Sequence, residues 1–472
     1  MTTASTTDLA LMAHLLRRAG FGVDRDQLER YAEKSYEDVV DDLLNPERFD
    51  EPEDEVLSRF YPHLHANKDN PAVWNGRWFY RMVNTERPLE EKITLFWHGV
   101  FATGWTKSEH TPTMVQHIQM LRTNGMANFR TLLLGISRDP AMIFWLDNKD
   151  NHKDAVNENY GREILELFTM GVGNYTEDDV RQSSRAFTGW NIHNSDFHAV
   201  RTNQDSVWPY GRIDWQYEYR PEDHDNGEKQ FLGQVGDHNG EDVIDIICHH
   251  PATARFIARH LYNFFVADEP QVPAWDTVPP RDPHAIETLA QAFVESDYNI
   301  RATLRVLFNS AFFKASTFAK VKSPVEMVAG TARAAGGFEF PDVVDIQLAL
   351  QPAQMGQQVL DPPSVEGWHT GVEWVNTASL VKRVNFAVGQ FSDTTKPGVN
   401  SMIDRIASSN GNLSPDDLVE SCLDILGPMS VSEKSRDELI QQAADGNGGQ
   451  TTENRIRAML QMIVSTREYQ MA

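Results

Sequence analysis

The densest run of side chains able to do chemistry is Asn157-Glu158-Asn159-Tyr160-Gly161-Arg162-Glu163-Ile164-Leu165-Glu166-Leu167-Phe168. On a 3.6-residue period Tyr160, Ile164, Leu167 and Phe168 share one face, which predicts an amphipathic helix packed inward on that side. Asn159, Glu163 and Glu166 fall in an adjoining arc roughly 60° wide, so Glu163 borders the apolar stripe. A carboxylate at that border is either desolvated and paired or lines a cleft. Glu163 and Glu166, with Asn159, could act as general acid and base or as oxygen ligands for a divalent metal. Their alternative use is pairing with Arg162, since Glu158 to Arg162 and Arg162 to Glu166 both have i,i+4 spacing.

Other candidates are scattered. His98 ends a strongly apolar helix beside Gly99, which would leave room for a ligand; a satisfied core histidine is the alternative. His224-Asp225 lies in a turn that a helical body does not need for packing, with Lys229 placed to neutralise a carboxylate or a substrate anion. Trp190, Trp208, Trp215, Trp368 and Trp374 offer flat surfaces for stacking on sugar rings or for filling a core. Gln116, His117 and Asp147 would join the same pocket if their helices pack nearby. No Gly-x-Ser-x-Gly elbow, His-Glu-x-x-His or Walker loop occurs. The third position after Glu163 is Glu166, so the Glu-x-x-His spacing of a di-iron bundle is missing.

The elements that must position these groups read as helices with local start signals. Asp24, Ser35-x-x-Asp38, Asn128, Asp139-Pro140 and Thr176-x-x-Asp179 mark N-termini, as do Pro71, Pro88 and Pro112 in first turns. Gly171-x-Gly173 stops the central helix and is no dinucleotide loop. Residues 191–235 change character: Trp215, Tyr217 and Tyr219 alternate, Asp223 to Gly227 reads as a polar turn, and Gln230-Phe231-Leu232 follows, which predicts a β-hairpin insertion. The fold class expected is mainly α, a multi-helix globular body with a small β-hairpin insertion at about 191–235. Residues 1–390 are expected to form the main body and 391–472 a C-terminal helical extension packed on it.

The chain has 472 residues and a net charge of −25, with 68 acidic against 43 basic side chains. That balance argues against a nucleic-acid backbone or an anionic membrane as the main partner. Only Cys248 and Cys422 occur, so no disulfide framework or zinc-finger spacing exists, and both read as small core hydrophobes. No stretch approaches the ~20 apolar residues of a spanning helix. Met1 to Asp8 lacks the basic and apolar regions of a secretory signal, so the expectation for the chain as written is cytoplasmic.

The ordered strings also carry a resemblance. Leu15-Leu16-Arg17-Arg18-Ala19-Gly20-Phe21-Gly22, Phe96-Trp97-His98 with Phe101, Asn128-Phe129-Arg130 and Asp139-Pro140-Ala141-Met142 come first. Asn157-Glu158-Asn159 with Arg162-Glu163, Glu166-Leu167-Phe168 and Thr188-Gly189-Trp190 forms the core signature. His224-Asp225, His250-Pro251-Ala252-Thr253-Ala254, Lys322-Ser323-Pro324 with Glu326, and Val365-x-Gly367-Trp368 follow. Over roughly the first 390 residues this resembles a bacterial family known only as domain-of-unknown-function family 1800. The resemblance implies frequent export and frequent encoding beside a sulfatase-like protein, which would be a partner by context. Val100 stands where the family often has a second His after His98, which weakens a His-x-His metal pair; Thr370 stands where Gly is usual.

Two readings stay open. In one, the protein is a hydrolase- or lyase-like enzyme on a polar, carbohydrate-like substrate. Glu163 is then base or metal ligand, His98 and His224 are proton carriers or ligands with Asp225 among the catalytic residues, and Arg162 clamps an anion, while Asn159, Glu166, Lys229, Trp190 and Trp368 bind substrate. In the other, it is a non-catalytic helical scaffold or binding protein whose polar network locks its core beside a partner enzyme. The cofactor is unknown, with a divalent metal on the table.

Overall fold

The structure is a computed structural model that describes residues 6–52, 59, 71–193, 215–341, 343–409, 413–445 and 451–472. Trp208, most of the acidic stretch before Pro71 and the Gly446 to Gly449 turn lie outside the described residues.

Helices begin where local chemistry satisfies their free N–H groups. Asp24 accepts from Gln27 N–H at 2.7 Å and Ser35 from Asp38 N–H at 3.1 Å. Thr176 and Asp179 form a reciprocal capping box that opens the helix Glu177–Ala186. Pro71, Pro88 and Pro140 each open a helix, Pro71–Asn84, Pro88–Val100 and Pro140–Trp145, where proline's missing donor costs nothing. The central helix, Asn159–Glu166, starts when the Asn157 side chain accepts the Asn159 N–H at 3.0 Å.

These helices share a large apolar core that runs from Leu9 to Leu360 and includes Tyr160, Ile164, Leu167 and Phe168. All four are buried, Tyr160 and Ile164 on the helix as the 3.6-residue period requires and Leu167 and Phe168 in the turn that follows it, and each such side chain contributes about 1.5–3 kcal/mol. A second cluster gathers Met327 and Ala335 with residues from Ala387 to Tyr469, so the C-terminal helices bury their apolar faces against the helix Pro324–Ala335. Cys248 and Cys422 are both buried and free.

Strands are few among the described residues. The chain is mainly helical with small antiparallel pairs, but the pairing differs from the expected hairpin. β1 (Trp190–His193) pairs with β2 (Gln216–Tyr219), with Trp190 opposite Tyr219. β3 (Lys229–Phe231) pairs with β4 (Gln234–Gly236) across a two-residue turn at Leu232-Gly233, both with positive φ. Alternating aromatics mark β2 correctly, whereas its partner lies on the far side of residues 194–214.

Candidate functional site

Gly161 fixes the central helix against its neighbour. A Cβ there would meet Ser184 side chain and backbone, its N at 2.8 Å, so only glycine allows this approach to the Glu177–Ala186 helix. The Tyr160 hydroxyl bonds Ser137 Oγ at 2.6 Å at the end of another helix, Phe129–Ser137. With the inner face locked, the polar arc is turned outward at a set angle.

The carboxylates of that arc have unequal fates. Arg162 donates to Glu177 at 2.7 and 3.0 Å and lies 3.8 Å from Glu158. The expected ladder therefore forms on its Glu158 side, while Glu177 takes the fork of the guanidinium. Glu166 accepts the Tyr175 hydroxyl at 2.5 Å. Asn159 reaches Asp147 Oδ2 at 3.3 Å, and Lys107 holds the same carboxylate at 2.7 Å. Glu163, half-buried, has no hydrogen bond or ion pair to its carboxyl among the described residues. Burial pushes it up to about 7, with Glu166 and Glu366 adding repulsion and Arg162 opposing.

Glu366 arrives from a distant loop. Gly367, at φ +78°, lies against the Gly99 carbonyl, where any Cβ would collide. This contact lays the segment Glu366-Gly367-Trp368 over the end of the Pro88–Val100 helix. Beneath it lies His98, fully buried, its Nε2 accepting the Leu360 N–H at 3.2 Å. Its ring meets Trp368 edge-on at 5.3 Å and His117 at 6.0 Å. Burial, helped by His117, drives His98 well below the usual histidine range, so the ring is neutral. His117 in turn bonds Asp139 at 3.1 Å, and Asp139 caps the Met142 N–H at 3.0 Å. His98 is a positioning group for the loop that carries Trp368.

A cavity of about 260 Å³ opens beside this loop, lined by Trp368, Trp374, Glu366, His260, Gln357 and Lys320 among others. Two indoles, a carboxylate and a carboxamide make a wall suited to a polar ligand with an apolar face. Trp368 and Trp374 keep less than a tenth of their surface exposed, so they are walls of the pocket and not an open platform.

The remaining predicted residues gather elsewhere. His224 Nδ1–H donates to the Thr188 carbonyl at 2.8 Å, and Asp225 takes Arg185 at 2.6 and 3.1 Å. Lys229 caps the Asp225 and Gly227 carbonyls at 2.6 and 3.0 Å. Trp190 packs on Phe187 and donates to Asn239 at 3.0 Å. These bonds pin the turn to the end of the Glu177–Ala186 helix. No hydrogen bond or ion pair among the described residues joins His224, Asp225 or Lys229 to Glu163, His98 or Trp368. Gln116 is exposed, away from the buried His117.

Among the described residues, no group of three or more His, Cys, Asp or Glu is placed to hold a metal. None of their helices is long and apolar enough to cross a membrane. Sequence reasoning singled out Glu163, His98 and Trp368 but missed Glu366 and His260, which no local spacing marks, and Gly356-Gln357 belonged to the family resemblance without being assigned to the site.

A profile of the family described as "Protein of unknown function (DUF1800)" matches residues 14–471, past the first 390 residues where the resemblance was expected to end. No curated protein and no solved structure matches the chain. The chain belongs to the DUF1800 family.

Proposed function

We propose that this member of the DUF1800 family is a hydrolase- or lyase-like enzyme acting on a polar, sugar-sized substrate at the Trp368–Trp374 pocket. Glu163 is its general acid and Glu366 the partner carboxylate. The observation that carries the reading is a half-buried Glu163 carboxyl left without an ion pair while Arg162 beside it is spent on Glu177. A fold that only needed a locked core would pair that group, because unpaired buried carboxylates cost stability. Glu366 is exposed on the pocket wall, and Glu163, which does not itself line the pocket, is half-buried close enough to feel the Glu366 charge; two carboxyls in such unlike surroundings are the arrangement that divides acid from base. The cavity, about 260 Å³, is near the lower end of ligand pockets (roughly 300–1,000 Å³), which suits one sugar ring.

In this reading His98 holds the Trp368 loop through Leu360, and Asn159 and Glu166 flank Glu163 on its own helix. His224, Asp225, Lys229 and Trp190 hold the neighbouring turn. The test is a screen of glycans and sulfated glycans with the parent, Glu163→Gln and Glu366→Gln, with melting as a control for folding. Turnover by the parent that both substitutions abolish without loss of folding supports the reading. Turnover that survives Glu163→Gln refutes it.

A second reading, a non-catalytic scaffold beside a partner such as a sulfatase-like enzyme, is favoured by one feature: Arg162, His224, Asp225 and Lys229 are all committed to internal bonds. It requires Glu163 to be a stabilising group, which its lack of partners opposes.

A further inference from the structure

Six basic side chains meet inside a chain whose net charge is −25: Arg17, Arg18, Lys92, Lys320, Lys322 and Arg383. Among the described residues two side-chain carboxylates pair with them. Glu326 takes Lys92 Nζ at 2.6 Å and lies 4.0 Å from Arg18 Nη1, while Asp268 lies 3.4 Å from Lys320. Arg17, Lys322 and Arg383 have no carboxylate within ion-pair distance among the described residues. Each is held by neutral oxygens instead. Arg17 donates to Gly427 O at 2.7 Å and Lys322 to Tyr469 O at 2.8 Å. Arg383 donates to Lys322 O and to Gln470 Oε1, both at 2.8 Å. Such dipoles solvate a cation without cancelling its charge.

Donors are left over as well. Arg383 is fully buried, and its Nη1 has no hydrogen-bond partner; Arg17 Nε has none either. Arg17 and Lys322 line a common cavity of about 70 Å³, together with Tyr469 and Glu326. At the ~30 Å³ a liquid water occupies, that is room for about two waters or one small oxyanion. Glu326 faces the same space but is spent on Lys92 and on the Ser323 N–H at 2.6 Å. The charge excess shows in the amines. Burial first, then Arg17 and Arg383, push Lys322 down to about 7. Burial likewise lowers Arg17 and Arg383 to about 10.

We propose that this cavity binds a free tetrahedral oxyanion, sulfate or phosphate, through Lys322 and Arg17 with Arg383 behind them, so that the anion fastens the helix Thr6–Arg18 to the Tyr469 segment. Multivalent oxyanions match clustered guanidinium and ammonium donors, and they supply the negative charge that the cluster lacks. The cavity shares Glu326 with the wall of the Trp368–Trp374 pocket, but neither Glu163 nor Glu366 lines it, and the proposal does not depend on the reaction proposed there.

Binding is coupled to protonation. The charged or titratable groups facing Lys322 are Arg17 and Arg18 on the helix Thr6–Arg18, Lys92 and Glu326, Arg383, the Lys320–Asp268 pair, Tyr469 and the α-carboxylate of Ala472, which lines the same cavity. The Tyr469 phenol is pushed up to about 12 by burial and stays neutral. An anion raises the proton affinity of Lys322. For sulfate, which does not titrate in this range, binding near pH 8, where the free amine is mostly neutral, therefore takes up a proton, and near pH 6 it takes up almost none, whereas phosphate near pH 6 gives up a proton as it binds as the dianion.

Calorimetric titration of the full chain with sodium sulfate and with sodium phosphate, chloride balancing the ionic strength, tests this at both pH values in two buffers of different ionisation heat. The expected result is saturable binding at one site per chain, with proton uptake at pH 8 only. Lys322→Met should weaken it by about tenfold or more, while the exposed Lys382→Gln leaves it unchanged. No saturable binding of either anion, equal binding by folded Lys322→Met, or binding at pH 8 without proton uptake overturns the proposal. The last arm uses the parent protein and decides even if Lys322→Met fails to fold.

Discussion

Replacing Glu163 by Gln should make the protein more stable at pH 8 and leave it unchanged at pH 4, the reverse of what a buried ion-pair partner would do. Burial and two neighbouring carboxyls raise Glu163 to about 7 from the ordinary 4.5. A carboxyl that binds its proton more tightly in the folded state makes stability fall as pH rises from about 4.5 through 7, and the full penalty stands above that window. At about 1.4 kcal/mol per tenfold change in proton affinity the ceiling is roughly 3 kcal/mol, and solvent at this half-buried position cuts it to about 1–2 kcal/mol. Glutamine keeps the shape and never ionises, so that penalty disappears. With an unfolding entropy of about 2.1 cal/mol/K per residue, the 472 residues give about 1 kcal/mol/K, so the gain appears as a Tm rise of roughly 1–2 °C. Paired scans by differential calorimetry at pH 4 and pH 8 resolve it. A loss of about 3 kcal/mol at pH 8, as when a buried charge loses its counter-charge, would refute the reasoning and favour the scaffold.

Other perturbations probe the frame around the site. Gly161→Ala should cost about 1–3 kcal/mol by overpacking, and adding Ser184→Gly should restore only part of the loss, because the Ser184 backbone N still lies 2.8 Å from the new Cβ; urea melts of the single and double variants check both. Glu91 is fully buried and accepts Trp78, Arg81 and Arg122 at 2.8–3.0 Å, so Glu91→Gln should cost about 3–5 kcal/mol and lower the yield of soluble protein. His224→Ala removes the bond to the Thr188 carbonyl and should cost about 1 kcal/mol in a denaturant melt; a shift in the titration of Glu163 in that variant would show that the two groups are coupled after all.

Helices were legible because their signals are local. Asp24, Ser35, Thr176 and the prolines at 71, 88 and 140 each satisfy or dispense with a nearby backbone donor, and the structure starts a helix at every one. The border position of Glu163 was legible for the same reason, since helical phase places it beside Ile164 and Leu167. Pairings across the chain were not. Alternation showed that Tyr217 and Tyr219 lie on a strand, but that strand's partner is set by how residues 190–193 return to it. The i,i+4 rule saw Arg162 beside Glu166, whereas the fork goes to Glu177 on the next helix. Glu366 carried no signal at all: an exposed glutamate in a loop reaches the site because Gly367 can lie on the Gly99 carbonyl.

The claim on which the enzyme reading rests is that Glu163 holds its proton near neutrality because it is half-buried and unpaired beside Glu366. Carboxyl-carbon NMR of protein labelled at the glutamate side chains, followed from pH 3 to pH 9 in the parent, Glu163→Gln and Glu366→Gln, tests that claim most directly. One resonance absent from Glu163→Gln should titrate with a midpoint near 7 in the parent, and Glu366→Gln should lower that midpoint by removing a repelling charge. A Glu163 midpoint at the ordinary 4.5, unmoved by Glu366→Gln, would contradict the account.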